Sequence, residues 1–238
     1  MYTKFSIRLR LVYLSKTFLK YFYSKLKNIE EVIYALFDSN FLINKKSKTL
    51  FLDLGSNIGQ GYKWFSKFYK KQNVDFELFE PNPYCFEKLR KLKEVKDSKI
   101  SIWNFGVGVK KQTVKFYGLT KDNKYSLGGS ILERHNSLYY KNNHDDFIEV
   151  ELIDLGKYLI KKSKKYDKII VKMDIEGAEV KTLENLIKNN TIGLIDILYV
   201  EFHSQYLKQQ ESKIIKAREK EIIKHLKLKK NFFLRIWH

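Results

Sequence analysis

Hydrophobic and polar residues alternate along this chain with a period that changes from segment to segment. Short, mostly apolar segments over 49–54, 74–79 and 100–105 are typical of strands in a buried sheet. Between these segments, apolar residues recur every three or four positions, as they do in helices that pack one face on a sheet. The order strand, helix, strand, helix, strand predicts a parallel sheet with right-handed crossovers.

The same alternation resumes in the second half of the chain. It predicts strands over 167–173, 195–202 and 232–237, with helices over 178–188 and 208–228. Only two prolines occur, and no linker rich in Pro, Gly or Ser divides the sequence. We therefore expect one α/β domain with a Rossmann-like, mostly parallel central sheet flanked by helices.

Two segments depart from this order. Residues 1–46 carry apolar residues at helical spacing with lysines between them, which predicts a basic amphipathic helical extension ahead of a domain at 47–238. This extension either caps the core or attaches to a membrane surface. Residues 113–152 predict two strands joined by a long loop rich in Gly, Ser, Asn and Lys. We interpret this insertion as a substrate lid, with a plain surface loop as the alternative.

The composition narrows the class of protein. Hydrophobic residues make up 44% of the 238 residues, which is enough for a full core and excludes global disorder. The net charge of +19 is typical of proteins that bind RNA or an anionic membrane surface. However, most of the 46 basic residues are lysines, and the chain is also rich in Ile, Asn, Tyr and Phe, so AT-rich codons explain the charge equally well. RNA and membrane therefore stay open as partners.

The single cysteine, Cys85, cannot form an internal disulfide, which fits a reducing compartment. The N-terminal apolar runs are too short for a signal peptide or a membrane span. These two features together predict a cytoplasmic protein that meets a membrane, if at all, only at its surface.

A glycine turn follows the first predicted strand. The segment from Asp53 to Gly59 ends the strand and opens a helix, Gly55 permits a tight turn, and Gly59 lets the helix approach the sheet. Free N–H groups at the helix start suit a carboxylate and Asp53 suits an ammonium, so the turn can hold the amino-acid end of S-adenosylmethionine. The glycine fingerprint of dinucleotide-binding folds is incomplete, which argues against a nicotinamide-dependent oxidoreductase.

Glu80 ends the second predicted strand, where a carboxylate can accept hydrogen bonds from adjacent ribose hydroxyls. The alternative is a surface carboxylate beside a helix start. Asn104 and Phe105 end the third predicted strand, at the edge where an adenine would lie, and a core position is the alternative for Phe105. The predicted cofactor-binding residues are Asp53, Gly55, Asn57, Gly59, Glu80, Asn104 and Phe105.

Four segments of this sequence resemble the FkbM-type methyltransferases. The third, in which Lys172, Asp174 and Glu176 precede Gly-Ala-Glu, is the most distinctive, and the segments are 51–59, 79–83, 171–179 and 199–203. The resemblance implies a class I, Rossmann-like fold and methylation of a hydroxyl group on a sugar, glycan or small metabolite with S-adenosylmethionine as the cofactor. It also implies a seven-stranded sheet that ends in an antiparallel hairpin. One strand is predicted after the last helix of this chain, so the other strand of the hairpin is either missing or contributed otherwise.

Polar residues also alternate after two neighbouring strands. Asp174 and Glu176 would face one side if their strand continued, and Glu201 and His203 would lie beside them. A hydroxyl acceptor must lose its proton, and His203 is the predicted general base because an ordinary imidazole titrates near neutral pH. Asp174 is the second choice, and Glu176 completes the predicted catalytic set.

The same residues allow other interpretations. A divalent metal held by Asp174, Glu176 and His203 would lower the pKa of the acceptor, although a reaction without metal is the expectation. Glu176 and Glu179 could instead only cap the following helix. In the insertion, Ser130 and His135 are the predicted substrate contacts.

Two further functions stay open at this point. Positive charge, with Lys172, Asp174 and Glu176 as part of a Lys-Asp-Lys-Glu site, favours an RNA ribose 2′-O-methyltransferase, but the second lysine has no matching position. A non-catalytic, membrane-associated binding protein is the other alternative, and the intact acidic residues at the strand ends argue against it.

Overall fold

The computed structural model describes residues 27–44, 46–70, 72–92, 99–119, 124–126, 128–133, 135, 147–207 and 209–237. Residues 1–26 of the predicted extension and most of the predicted loop between the insertion's strands lie outside this set. In chain order the described elements are α1 (residues 27–37), a π-helical turn (Asp38–Leu42), β1 (Thr49–Leu54), α2 (Gln60–Tyr69), β2 (Val74–Phe79), α3 (Pro83–Leu89), β3 (Ile100–Trp103), β4 (Gly106–Gly108), β5 (Gln112–Tyr117), β6 (Phe147–Asp154), α4 (Leu155–Ser163), β7 (Lys168–Met173), α5 (Glu179–Lys188), a 3₁₀ turn (Ile192–Leu194), β8 (Ile197–Val200), a second 3₁₀ turn (Ser204–Tyr206), α6 (Gln209–Lys227) and β9 (Phe233–Ile236).

The central sheet has six strands in the order β3-β2-β1-β7-β8-β9, and all neighbours pair in parallel. This confirms the predicted α/β fold with a mostly parallel sheet. Leu54 lies opposite Phe79 on one side and Met173 on the other, and Met173 lies opposite Val200. Four strands therefore end at the same level, and the chain direction of the crossovers reverses between β1 and β7, which is where such sheets bind ligands.

The sheet ends differently from the hairpin that the resemblance implies. β9 runs parallel to β8 and forms the edge, and the described residues include no antiparallel strand beyond it.

A second sheet of three strands, β4-β6-β5, covers part of the carboxyl edge. The insertion supplies β5 and β6, the two strands that the sequence predicts, and they pair antiparallel. The third predicted strand, however, stops at Trp103 instead of Phe105. There the Asn104 side chain donates to the carbonyls of Glu80 (2.8 Å) and Pro81 (3.1 Å), and the chain turns away to pair as β4 with β6.

The core lies on both faces of the central sheet, because every residue of β1 is buried. Leu50, Leu52 and Leu54 belong to one hydrophobic cluster with residues of α4 and α5. Phe51 points the other way and packs against Phe65 and other aromatic residues of α2. This two-sided burial explains why the strand segments contain so few polar residues.

Asp38 connects the turn after α1 to the far edge of the sheet. Its fully buried carboxylate accepts two hydrogen bonds from Arg235 (2.6 and 3.0 Å) and one from the Tyr199 hydroxyl (2.6 Å). The Tyr199 hydroxyl also lies 2.9 Å from that of Tyr69 on α2. Four elements therefore share one buried polar network. None of the described helices is long and apolar enough to cross a bilayer.

This network predicts a large effect on stability. We expect Asp38→Asn to lower the free energy of unfolding by about 3 kcal/mol, the lower end of the range for breaking a buried ion pair, because Arg235 keeps some contact with water. Urea unfolding followed by circular dichroism measures the loss. Glu87→Gln is the control, since its pair with Arg90 is exposed and should matter little. Equal small effects of both substitutions would show that the Asp38 network does not stabilise the fold.

Candidate active site

A cavity opens over the ends of β1, β2 and β7, with an empty volume of about 960 Å³ that includes some open solvent. One part of its wall is the glycine turn with Glu80, and another is the segment from Asp174 to Glu176. The second sheet contributes apolar residues, among them Phe116 and Leu152. Its mixed polar and apolar lining is typical of small-molecule sites.

The glycine turn brings two strand ends unusually close together. Gly55 has φ +80°, and a Cβ there would lie 1.8 Å from the carbonyl oxygen of Asp174. Gly59 has φ +90° and precedes α2, and a Cβ there would lie 2.7 Å from Leu92 Cδ1. Both positions therefore need glycine, the first for the approach of β1 to the end of β7 and the second for the packing of α2.

Glu80 lies in the cavity wall and is 5% exposed, so it is not a surface carboxylate. Its Oε2 accepts from the backbone N–H of Asn57 (2.7 Å), and its Oε1 accepts from that of Asn82 (2.7 Å). Burial raises the pKa of Glu80 to about 7, although these two hydrogen bonds act in the opposite direction. One carboxylate thus links the glycine turn to the turn after β2.

Asp53 occupies a different place from the one that its predicted role suggests. Its carboxylate is fully buried below the glycine turn, outside the cavity wall, and its Oδ1 lies 3.3 Å from Lys172 Nζ. Burial raises the pKa of Asp53, and the ammonium of Lys172 opposes that effect. The negative charge of Asp53 is therefore balanced by Lys172 of the neighbouring strand β7.

Lys172 belongs to the site, although the sequence singles it out only in the family motif and in the RNA-methyltransferase alternative. It lines the cavity, and its Nζ donates to Asp174 Oδ2 (3.0 Å) and to the carbonyl of Gly55 (3.2 Å). Burial lowers its pKa, but the charges of Asp174 and Asp53 outweigh that effect and keep the ammonium charged. The signal in the sequence is a lysine near the end of β7, after the apolar residues Ile169, Ile170 and Val171.

The other predicted contacts hold turns in place. Neither Asn104 nor Phe105 lines the cavity: Asn104 bonds backbone carbonyls, and Phe105 packs against the core. Asn57 lies in the wall, and its Nδ2 donates to the carbonyl of Ser126 (3.3 Å). Ser130 Oγ donates to the carbonyl of Glu176 (2.6 Å) and so attaches the insertion to the segment after β7.

The carboxylates after β7 converge by a turn and not by strand alternation. β7 ends at Met173, and Glu176 and Gly177 both have positive φ, +52° and +101°. Glu179 stabilises this turn, because its Oε1 accepts from the N–H groups of Ile175 (3.1 Å) and Gly177 (3.1 Å). The expectation of a continuing strand is wrong, since these backbone angles reverse the chain.

The turn gathers five ionisable residues into what we name the acidic cluster: Asp174, Glu176, Glu179, Glu201 and His203. His203 Nδ1 lies 3.0 Å from Glu179 Oε1. Its Nε2 faces Asp174 Oδ1 (3.7 Å), Glu176 Oε2 (3.6 Å) and Glu201 Oε1 (3.7 Å), which are longer than hydrogen bonds. Glu179 is thus more than a helix cap, because it orients His203.

These surroundings change the protonation of the cluster. Burial alone would lower the pKa of His203, but the hydrogen bond to Glu179 and the neighbouring negative charges outweigh it and raise that pKa to about 10. The argument for His203 as a base with an ordinary pKa therefore does not hold here, since an imidazolium cannot accept a proton. Burial raises the pKa of Glu176 to about 8 and that of Glu201 to about 7, and nearby carboxylates contribute to both shifts.

His135, a residue of the insertion, also contacts the acidic cluster. It is fully buried, and its Nε2 lies 3.5 Å from Glu176 Oε2. Neither of its ring nitrogens has a hydrogen-bond partner among the described residues. Burial and the charge of His203 lower the pKa of His135 to about 4, so the ring is neutral at physiological pH.

Comparison with known proteins identifies a family that matches most of this chain. A family model described as "Methyltransferase FkbM domain" matches residues 53–232, a range that contains the glycine turn, Glu80 and the acidic cluster. No curated protein matches the chain. A similar solved structure is the methyltransferase FkbM from Methylobacillus flagellatus KT, which is 16% identical with a TM-score of 0.35 over 60% of this chain. The match spans 30% of that protein's chain, so this chain corresponds to under a third of its length.

The approach of Gly55 to Asp174 leads to a test of the turn. We expect Gly55→Ala to lower the free energy of unfolding by about 3 kcal/mol or more, because a clash with a backbone oxygen adds to the cost of positive φ. Gly193→Ala is the matched control, since a Cβ there meets only the end of the Lys229 side chain at 3.5 Å. Denaturant unfolding measures both variants, and an unchanged stability of Gly55→Ala would contradict the close approach.

Proposed function

This chain belongs to the methyltransferase FkbM domain family, and from this premise we propose that it uses S-adenosylmethionine to methylate a hydroxyl group on a sugar, glycan or small metabolite. One observation carries the proposal: a single cavity has the glycine turn and Glu80 in one part of its wall and the carboxylates of Asp174 and Glu176 in another. A cofactor and an acceptor that share this cavity would therefore lie side by side.

The residues present fit the proposed cofactor. Gln60 and Gly61 line the cavity at the start of α2, where first-turn N–H groups lack partners within the helix and suit a carboxylate. The buried ammonium of Lys172 adds positive charge to the same wall. Glu80 supports the ribose contact, since each of its oxygens accepts one backbone hydrogen bond and keeps a further lone pair for a hydroxyl.

S-adenosylmethionine supplies an electrophilic methyl group, whose bond to sulfur breaks with the electron pair on sulfur as the bond to the acceptor oxygen forms. The protein must orient the acceptor and receive its hydroxyl proton. Among the described residues of the cavity wall near the acidic cluster, Asp174 and Glu176 are the carboxylates that can accept it. We favour Asp174, because a pKa of about 8 leaves Glu176 mostly protonated at neutral pH.

In this mechanism the role of His203 is electrostatic, and Asp174 is the base. Its imidazolium lies within 3.7 Å of three carboxylate oxygens and partly balances their negative charges. The apolar residues of the second sheet, Phe116 and Leu152, limit access of water to the same space.

A binding experiment tests the cofactor part of the proposal. We expect S-adenosylhomocysteine to bind the chain in calorimetry, and Glu80→Ala to weaken binding by about 1.5–3 kcal/mol, as for lost hydrogen bonds to a charged group. Glu87→Ala, an exposed glutamate of α3, is the control and should bind normally. Thermal melts confirm that each variant folds. Absence of binding by the unchanged chain, or full binding by Glu80→Ala, would refute the assignment.

A second experiment separates the acceptor end from the cofactor end. We expect Asp174→Asn to lower methyl transfer by about 10²–10⁴-fold, the usual contribution of a positioned proton acceptor, and to change the affinity for S-adenosylhomocysteine little. Transfer of a labelled methyl group to a panel of sugars, glycans and hydroxylated metabolites measures the rate. If Asp174→Asn loses cofactor affinity and transfer to the same extent, the division of roles is wrong.

A further inference from the structure

We propose that the acidic cluster binds a divalent metal ion, with Asp174, Glu176 and His203 as its ligands. The inference rests on the proposed function only for the role of the ion, because binding itself needs neither cofactor nor acceptor. The three residues come from two segments that follow β7 and β8, and Asp174 and Glu176 also line the cavity.

The distances suit an ion between the side chains better than direct contact. Each of the three residues offers one ligand atom, and these atoms lie within 4.8 Å of one another. His203 Nε2 lies 3.7 Å from Asp174 Oδ1 and 3.6 Å from Glu176 Oε2. Ligand atoms at about 2.1 Å from one ion stand roughly 3–3.5 Å apart, so a small contraction of the cluster would complete the coordination.

Neighbouring side chains orient two of the three proposed ligands, His203 and Asp174. Glu179 Oε1 lies 3.0 Å from His203 Nδ1, which fixes the ring so that Nε2 faces the other ligands. Lys172 donates to Asp174 Oδ2 and leaves Oδ1 toward His203. A carboxylate behind a histidine is the usual outer shell of a metal-bound imidazole, and it sets the direction of the lone pair.

His135 is an independent sign of a missing partner. It lies on the insertion, is fully buried, and has no hydrogen-bond partner for either ring nitrogen among the described residues. Its Nε2 is directed at Glu176 Oε2 over 3.5 Å. Leaving a buried polar group unpaired costs free energy, and an ion or an ion-bound water beside Glu176 would remove that cost.

The charge balance also favours a cation. Four carboxylates converge in the acidic cluster, and the described cations in contact with them are Lys172 and His203. The ion would displace the Nε2 proton of His203, so that the metal takes over the positive charge that the imidazolium carries without it. Buried carboxylates are normally paired or coordinate metals. Carboxylate oxygens suit Mg²⁺ and Mn²⁺ while imidazole suits Zn²⁺ and Fe²⁺, so Mn²⁺ is a good probe of this mixed set. In the proposed reaction, an ion here would lower the pKa of the acceptor hydroxyl.

The test is a Mn²⁺ titration of the full chain followed by electron paramagnetic resonance, without cofactor or acceptor. We expect one Mn²⁺ per chain, more than 100-fold weaker binding in Asp174→Asn and Glu176→Gln, and 10- to 100-fold weaker binding in Glu179→Gln, which acts only through His203. Glu184→Gln is the control and should bind Mn²⁺ like the unchanged chain, because Glu184 lies further along α5 and its carboxylate pairs with Arg218 of α6.

Thermal melts show whether each variant is folded and whether Mn²⁺ stabilises it. Mn²⁺ should raise the Tm of the unchanged chain and of Glu184→Gln, and leave that of Asp174→Asn where it is. No Mn²⁺ binding by the unchanged chain, or undiminished binding by Glu176→Gln, would overturn the inference. If metal binding fails while S-adenosylhomocysteine still binds, the proposed function stands without the metal; the reverse result would remove the proposed function and keep the site.

Discussion

The ammonium group of Lys172 lies buried between β1 and β7 and is shared by Asp53, Asp174 and the carbonyl of Gly55. Each of these partners belongs to a different part of the site: the strand below the glycine turn, the acidic cluster, and the turn itself. Asp53 is fully buried, so its negative charge is tolerated only with a cation beside it. The glycine turn and the acidic cluster are therefore connected through one side chain of the central sheet.

The backbone makes the same connection at shorter range. Gly55 approaches the carbonyl of Asp174 so closely that no side chain fits between them. A shift of the glycine turn would accordingly move the start of the turn that carries the acidic cluster. Cofactor binding and acceptor positioning would then be linked by packing, since tightly packed backbone transmits displacement.

Much of this arrangement follows from local patterns in the sequence. The buried strands, the glycine turn, and Glu80 at the end of β2 were predicted, because apolar segments and glycines constrain the backbone where they stand. The convergence of Asp174, Glu176 and His203 was also predicted, but for the wrong reason. A reversal at Glu176 and Gly177 brings them together, and positive φ at a glutamate has no signature in hydrophobic periodicity.

The errors share a physical origin: they depend on contacts between distant parts of the chain. The pKa of His203 is set by acidic side chains that only the fold assembles, so its ordinary value was a poor guide. Asn104 marks the end of β3, but its side chain serves the turn after β2. Lys172 and Glu179 were underestimated because a lone charge in a strand and an acid at a helix start each have a simpler local explanation.

The ion pair between Asp38 and Arg235 bears on where this folding unit begins and ends. Both residues lie outside the segment that matches the family, 53–232, one on each side of it. A protein cut to the matched segment would lose both partners together, and with them β9 and the contacts of Tyr199. It would also lose Thr49 to Leu52, the buried first part of the central strand β1. A protein cut only after Phe232 would keep β1 but would leave the buried Asp38 carboxylate without Arg235. The minimal fragment for expression therefore extends at least from Asp38 to Ile236.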